Sequence, residues 1–453
     1  MRHYVVGLYV FTLLADFTSA SFLSGIEEKL PSAFTLLTST AHSADSVHFP
    51  FNPGFPIEAV ASLAETLPSH SWEYGAASQA LLELYNPTLS VFNPDAFSVL
   101  FTMISSSSIT AVKALDYAAT GIVLGGSGAN ILTEGDGAVG DPASLGVSAI
   151  MLGKANGDEK YADAANGTID YLLNDAPRFW NGAISQRVDV QELWADWMYM
   201  VPPFLAYHAA DTSSISLLKE SVKQCGAYRQ ILRSSTSTLW QHVAGPQSND
   251  HGLWATGNGW AAAGMTRVLA TVMHAPVATD TDANANWQST AIRSLSTWIK
   301  EILDGAMASP LDNGLLRNYL DNTWDAHGFG EISGSSLLAS VAYRMAVLQP
   351  DTFGTTYISW ADSMRQAVGS HVTKEGIAAP AVNPLAWTDT NPFTTGSPEG
   401  QAFVVLMYSA WRDCVTQGVC EKPSTSDSGS TVTYANSRKR AHEKMARKHR
   451  RFQ

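Results

Sequence analysis

Cysteine is scarce in this chain, with three in 453 residues, and charged side chains make up only 15%. Cys414 and Cys420 are close enough in sequence for a local disulfide, while Cys225 has no evident partner. Thiolate catalysis and thiolate metal sites are therefore set aside. His48, His70, His251, His327 and His371 show no metal-ligand spacing, and no metal is expected. Past the first few residues the chain has no apolar run long enough to span a bilayer. Strand signals are sparse too, confined to short ribbons in the turns after residues 182, 314 and 376.

Positive charge is short overall, with 28 Lys/Arg against 41 Asp/Glu and a net charge of −13. Residues 438–451 hold eight Lys/Arg and one Glu, so the rest of the chain carries −20. Such an acidic body has no footprint for nucleic acid. Residues 1–20 have a basic start at Arg2 and His3, an apolar run, and small residues Thr18, Ser19 and Ala20. They read as a cleavable secretory signal. A secreted, extracellular protein follows, in which Asn166-Gly167-Thr168 is a glycosylation acceptor. Residues 21–421 form the body, and 422–453 a Ser/Thr/Gly-rich linker with a basic, solvated tail. Binding of that tail to an acidic cell-wall polymer is the alternative.

The length suits two or three domains or one large closed array of hairpins. Repeats favour the array. Gly-plus-apolar turns recur at Gly137, Gly182, Gly252, Gly314 and Gly376, the last three each 62 residues apart. Helices that begin with small residues follow at 141, 257, 330 and 396, and those at 71 and near 196 fit the same pattern. Amphipathic stretches at 160–173, 217–232 and 295–303 lie between them. Outer helix, turn and inner helix, six times over, predict an all-α (α/α)6 barrel.

Residues 190–207, VQELWADWMYMVPPFLAY, set Asp196 among aromatic and aliphatic neighbours. Asp189 and Glu192 read as a capping pair that opens a helix buried nearly all round, with Asp196 in its second turn. Pro202 and Pro203 should bend or end it. An acid so placed is paired or put to use. If the inner helices start at one end of the barrel, Asp141, Asp196, Asn258, Trp260, Glu331 and Glu399 share a funnel whose free amides attract anions. Asp141, Glu331 and Glu399 also fit as first-turn acids that stabilise their own helices, and for the two glutamates that is the favoured reading. Trp240-Gln241-His242 ends one outer segment. Trp254 to Trp260 opens the next inner helix, with Gly257 and Gly259 allowing close approach and the tryptophans offering flat faces for sugars.

WADWMYMVPPFLAY, the Trp240/His242 turn, ATGNGWAAAGM and GEISGSSLLA together resemble glycoside hydrolase families 88 and 105, the unsaturated glucuronyl and rhamnogalacturonyl hydrolases. A secreted fungal branch of the latter is the nearest in pattern. The resemblance runs from about residue 72 to 411. It implies an enzyme that removes a 4,5-unsaturated uronic acid from the non-reducing end of lyase-made pectin or rhamnogalacturonan oligosaccharides, with no cofactor and no nucleic-acid partner. It implies Asp196 as general acid/base and Asp141 as the second aspartate. It places Trp260 and His242 at sugar-contacting positions, with Asn258 and Trp194 beside them. Thr256 stands where bacterial members carry Arg before GNGW, and Gln186 where relatives carry His; Arg187 and Arg178 are the nearby cations that could compensate. The resemblance further implies that Asp196 must start protonated, helped by burial among Trp194, Trp197 and Tyr199. Two other readings fit the same residues: a two-carboxylate hydrolase of a saturated glycan, and a secreted glycan-binding protein without catalysis.

Overall fold

Helical hairpins account for nearly all of the computed structural model, which describes residues 48–97 and 112–423. The expected leader and the basic tail lie outside the described residues. In chain order the helices are α1 (Ile57–Thr66), α2 (Ser71–Tyr85), α3 (Lys113–Gly121), α4 (Gly140–Ala143), α5 (Gly146–Asn156), α6 (Glu159–Asn174), α7 (Trp197–Asp211), α8 (Ile215–Leu232), α9 (Ala255–His274), α10 (Asp282–Ala308), α11 (Ile332–Leu348), α12 (Thr355–Gly369) and α13 (Pro398–Thr416). The inner ring is α2, the broken pair α4/α5, α7, α9, α11 and α13. Each packs on the next, and α13 packs back on α2. The outer helices α1, α3, α6, α8, α10 and α12 cover it, giving the (α/α)6 barrel expected from the repeats.

Composition explains which helix goes where. Every residue of α9 from Ala255 to Val272 is buried, and α11 and α13 are buried almost as completely. Helices apolar all round belong inside. Outer α10 instead buries one stripe, Leu295, Ile299, Ile302, Leu303 and Ala306. Crowding of the inner ring calls for small residues. A Cβ on Gly264 of α9 would collide with the carbonyl of Met198 on α7. That carbonyl has no helical partner, because Pro202 four residues on has no N–H. The expectation that Pro202 and Pro203 bend or end this helix therefore fails in its stronger form: α7 runs through both to Asp211, held by packing on all sides.

Gly137, Gly182, Gly314 and Gly376 turn the chain with φ of 78°, 86°, 87° and 84°, a region that costs glycine least. Gly252 fits the same spacing for another reason, since a Cβ there would strike the Tyr319 ring. β1 (Leu193–Trp194) pairs antiparallel with β2 (Val243–Ala244), and β3 (Leu311–Asp312) with β4 (Leu315–Leu316). The second ribbon straddles Gly314, and single bridges Arg178–Ile184 and Val372–Ala378 straddle Gly182 and Gly376, as expected. The β1–β2 ribbon was not expected. It replaces the helical start assigned to residues 189–196.

Cys414 and Cys420 form the local disulfide, and Cys225 is buried and free. Asn166 is exposed but lies within α6, where the Thr168 hydroxyl turns inward to the Ala164 carbonyl. Among the described residues no helix is long and apolar enough to cross a membrane.

Toward the C-terminal ends of the inner helices lies a buried charge network. Glu83 of α2 accepts from Arg267 of α9 at 2.5 Å and from Arg344 of α11 at 2.8 Å, while Arg344 also reaches Asp413 of α13 at 2.6 Å. Arg412 donates to the carbonyls of Glu83 and Leu84. Removing the shared carboxylate strands the buried Arg267 guanidinium and takes one of two carboxylates from Arg344. Glu83→Ala should lower unfolding free energy by about 3–5 kcal/mol, read from the midpoint and slope of guanidinium chloride denaturation.

Candidate active site

Asp196 is not in the second turn of a helix. It is the residue just before α7, with helical φ/ψ, and its side chain accepts no N–H from its own helix. An aspartate at that position ordinarily caps; here the carboxyl is left for other work. Its side chain is 18% exposed, and its Oδ2 is buried. The aromatic rings expected around it have other partners as well. Trp197 stacks on Tyr228 at 4.4 Å, and Tyr199 packs against Trp260 and donates nothing to Asp196.

The β1–β2 ribbon sets the partner of Asp196. Ala195 N–H donates to the His242 carbonyl at 2.9 Å, which brings the two side chains together. His242 Nε2 lies 3.3 Å from Asp196 Oδ2, within ion-pair range but not aligned as a hydrogen bond. On the other side, His242 Nδ1 is 3.0 Å from Asp250 Oδ2, and the Tyr319 hydroxyl donates to the same oxygen at 2.8 Å. A hairpin over 243–250 places Asp250 there through reciprocal backbone bonds with Val243. Glu192 pins that hairpin. It accepts from Gln247 and Ser248 N–H at 2.9 and 2.8 Å and from Trp194 Nε1 at 2.6 Å, so its role is in the ribbon and not in a helix cap with Asp189.

Three indoles surround His242: Trp254 at 4.3 Å between ring centres, Trp387 at 5.0 Å and Trp194 at 5.7 Å. Burial would depress the imidazolium, but the Asp196 and Asp250 carboxylates outweigh it and hold the pKa above its ordinary value. Burial also opposes ionisation of Asp250. The His242 cation, the Gly252 N–H and the Tyr319 hydroxyl win, and hold it at about 2.

Asp141, in the first turn of α4, accepts from Gln186 Nε2 at 2.8 Å. Part of its surface meets solvent, yet protein atoms crowd its carboxyl, and that desolvation raises its pKa to about 7. The Gln186 bond and the Arg187 charge oppose the rise, and the Asp196 and Asp136 charges add to it. Asp141 is thus a carboxyl that can keep a proton into the neutral range. Arg187 sits at the rim on the Asp136 carbonyl, whereas Arg178 is spent on the carbonyls of Leu173 and Gly182 in the outer layer.

Three of the expected sugar contacts are placed differently. Asn258 is fully used on backbone, accepting from Trp240 N–H and donating to the Trp240 and Trp254 carbonyls. It holds the His242 segment in place and is itself buried. Trp260 has no exposed surface and lies between Tyr199 and Phe403 beneath the site floor. Thr256 is buried, 3.4 Å from Glu331 Oε1. Glu331 caps α11 by accepting from the N–H groups of Ser333 and Gly334, the structural role favoured for it. Glu399 departs from that reading. Ser397 caps α13, and Glu399 reaches across to accept from Trp72 Nε1 at 2.8 Å, its Oε2 buried without a partner. Burial, then the Asp196 charge, hold its pKa well above the usual carboxylate range.

Asp250, Tyr319, Trp387 and Trp72 were not picked out by sequence, whereas Glu399 was placed in the funnel but favoured as a structural acid. Trp387, in the turn just after Pro384–Ala386, carried one signal, a tryptophan outside any helix. The arrangement as a whole offers a solvent-reaching carboxylate beside an imidazolium, a second carboxyl able to stay neutral, and an indole wall. Those groups can pass a proton to a bound sugar and hold it flat against an apolar face.

A family model described as Glycosyl Hydrolase Family 88 matches residues 62–379. An unsaturated rhamnogalacturonyl hydrolase of Bacillus subtilis (strain 168) is 27% identical over 135 residues, 28% of this chain and 39% of that relative. The aligned region thus spans well under half of the relative's length. Among solved structures, a possible member of the GH105 family from Salmonella enterica serovar Paratyphi A superposes with a TM-score of 0.60 at 14% identity, covering 79% of this chain and 93% of that one. The unsaturated glucuronyl hydrolase of Bacillus sp. GL1 superposes with a TM-score of 0.52 at 13% identity, covering 80% and 95%. These likenesses concern the fold.

The raised Asp141 pKa has a consequence for stability. A carboxyl whose folded pKa lies above its unfolded value stabilises the fold at low pH, and that contribution is lost as pH rises from about 4 to about 7. Asp141→Asn, which keeps an acceptor for Gln186, should flatten the loss; denaturant midpoints from pH 4 to 8 in both proteins measure it.

Proposed function

The chain belongs to glycosyl hydrolase family 88, and from that premise we propose that it is a glycoside hydrolase that removes a 4,5-unsaturated uronic acid from the non-reducing end of lyase-made oligosaccharides, with rhamnogalacturonan-type fragments as the preferred class. The observation that carries this reading is the uncapped Asp196 carboxyl, open to solvent and flanked by His242 and the indole wall. The proposed general acid/base is Asp196. It gives a proton to C4 of the enol ether, and positive charge develops at C5 and the ring oxygen. Water adds to C5 and returns a proton to Asp196. The hemiketal opens at its C5–ring oxygen bond, which leaves a hemiacetal at C1 that expels the neighbouring sugar as an alcohol.

Asp141, held protonated up to about pH 7 by desolvation, adds a hydrogen-bond donor there without repelling the uronate. Gln186 orients Asp141, and Arg187 is the nearest cation to it, which supports an acidic substrate where Thr256 offers no charge. Trp194 and Trp387 supply the apolar face. Export is part of the same proposal, supported by the leader-like residues 1–20 and by the Cys414–Cys420 disulfide.

Hydration of the conjugated double bond removes its ultraviolet absorbance, whereas hydrolysis of a saturated glycan or simple binding does not. Incubation with unsaturated rhamnogalacturonan disaccharide should bleach that absorbance, and Asp196→Asn should slow the bleaching by roughly 10²–10⁴-fold. Persistence of the absorbance with the parent protein, across a panel of unsaturated uronides, would overturn the proposal in favour of the saturated-glycan or binding reading.

A further inference from the structure

Asp196 stands beside a histidine that is itself held by a second carboxylate, and the order Tyr319, Asp250, His242, Asp196 is continuous: 2.8 Å, 3.0 Å and 3.3 Å. We propose that Asp196 and His242 work as one proton-sharing pair, and that Asp250 is a positioning residue that keeps the reaction's proton on His242 until substrate arrives. The inference rests on the hydration reaction proposed above.

The geometry gives each member a distinct task. His242 is 1% exposed and Trp194, Trp254 and Trp387 close around it, so its proton does not exchange readily with bulk water from those sides. Its Nδ1 faces Asp250, which fixes the ring and leaves Nε2 on the side of Asp196 Oδ2, 3.3 Å away. Both Nε2 and Oδ2 are buried, and neither has an aligned hydrogen-bond partner. Two buried polar atoms 3.3 Å apart with nothing else to bond are matched by one proton between them. Asp250 needs no proton of its own, because the Tyr319 hydroxyl and the Gly252 N–H already satisfy its carboxylate.

Proton balance over the cycle is closed. His242 Nε2–H passes its proton to the Asp196 carboxylate, and Asp196 passes it to C4. The water that adds to C5 gives a proton to Asp196, which returns it to His242. No proton is gained or lost, and none has to be drawn from solvent while the site is covered by sugar. The charged and titratable groups that face His242 are Asp196 from the start of α7 and Asp250 from the hairpin, with Tyr319 acting through Asp250; the other neighbours are indoles. Both carboxylates favour the imidazolium. Loss of the His242 proton, as pH rises, would then be the event that ends activity.

The test compares His242 with the enzyme's own pH profile. In the parent protein the titration midpoint of His242, followed by NMR of labelled imidazole, should coincide with the alkaline limb of kcat/KM for unsaturated disaccharide. Asp250→Asn removes one of two carboxylates, so midpoint and limb should both move to lower pH by about one unit or more; Asp250→Glu should restore most of the shift. A merely structural Asp250 would lower kcat/KM at every pH and leave the limb in place. An unmoved limb in a folded Asp250→Asn protein, or a parent midpoint away from the limb, overturns the inference while hydration stands. Absence of bleaching by the parent overturns the function proposal and with it the role of this pair in it.

Discussion

Six inner helices run the same way around one axis, and that constraint organises the rest of the molecule. Parallel helices stack their positive ends together at one mouth and their negative ends at the other. The chain places acidic side chains at one end and basic ones at the other. Asp141, Asp196, Glu331 and Glu399 sit at or beside the N-terminal ends, while Arg267, Arg344 and Arg412 sit toward the C-terminal ends around Glu83. The same crowding demands Gly and Ala where the helices touch, as Gly264 against Met198 shows.

Crowding also sets the chemistry. Carboxyls brought to one mouth and stripped of water cannot all stay charged, so Asp141, Glu331 and Glu399 are each pushed upward by burial. The fold separates them by what it places alongside: an amide for Asp141, backbone N–H groups for Glu331, an indole for Glu399, and a histidine for Asp196. Proton-bearing and proton-losing groups can then coexist within one small region, which is what an acid/base reaction on a sugar requires. The two departures in the motifs fit this picture. Gln186 serves as the amide on Asp141, and Thr256 lies beneath the floor against Glu331.

Much of the fold was legible in the chain. The left-handed glycines at 137, 182, 314 and 376 and the small-residue openings of the inner helices mark the six hairpins, and inner and outer helices differ in composition as burial requires. The Cys414–Cys420 pair follows from its spacing. Less legible was the stretch just before α7. Residues 189–196 have helical spacing of apolar side chains, but Leu193 and Trp194 pair with Val243 and Ala244, some fifty residues later in the sequence. A two-residue ribbon leaves no periodicity to read, because its bonds are made to a distant partner.

Sequence alone determined the array of hairpins and the acidic body and singled out Asp141 and Asp196 as candidates, since each depends on local spacing or on residue type. Only the tertiary structure decided which groups stand beside Asp196. Asp250 and Tyr319 reach it through His242 from separate turns, Asn258 and Trp260 turn away to brace the site from below, and Glu399 crosses from α13 to Trp72 on α2. The physical reason is one and the same: a pKa or a hydrogen bond is set by neighbours in space, and a closed ring makes neighbours of residues that the chain keeps hundreds of positions apart.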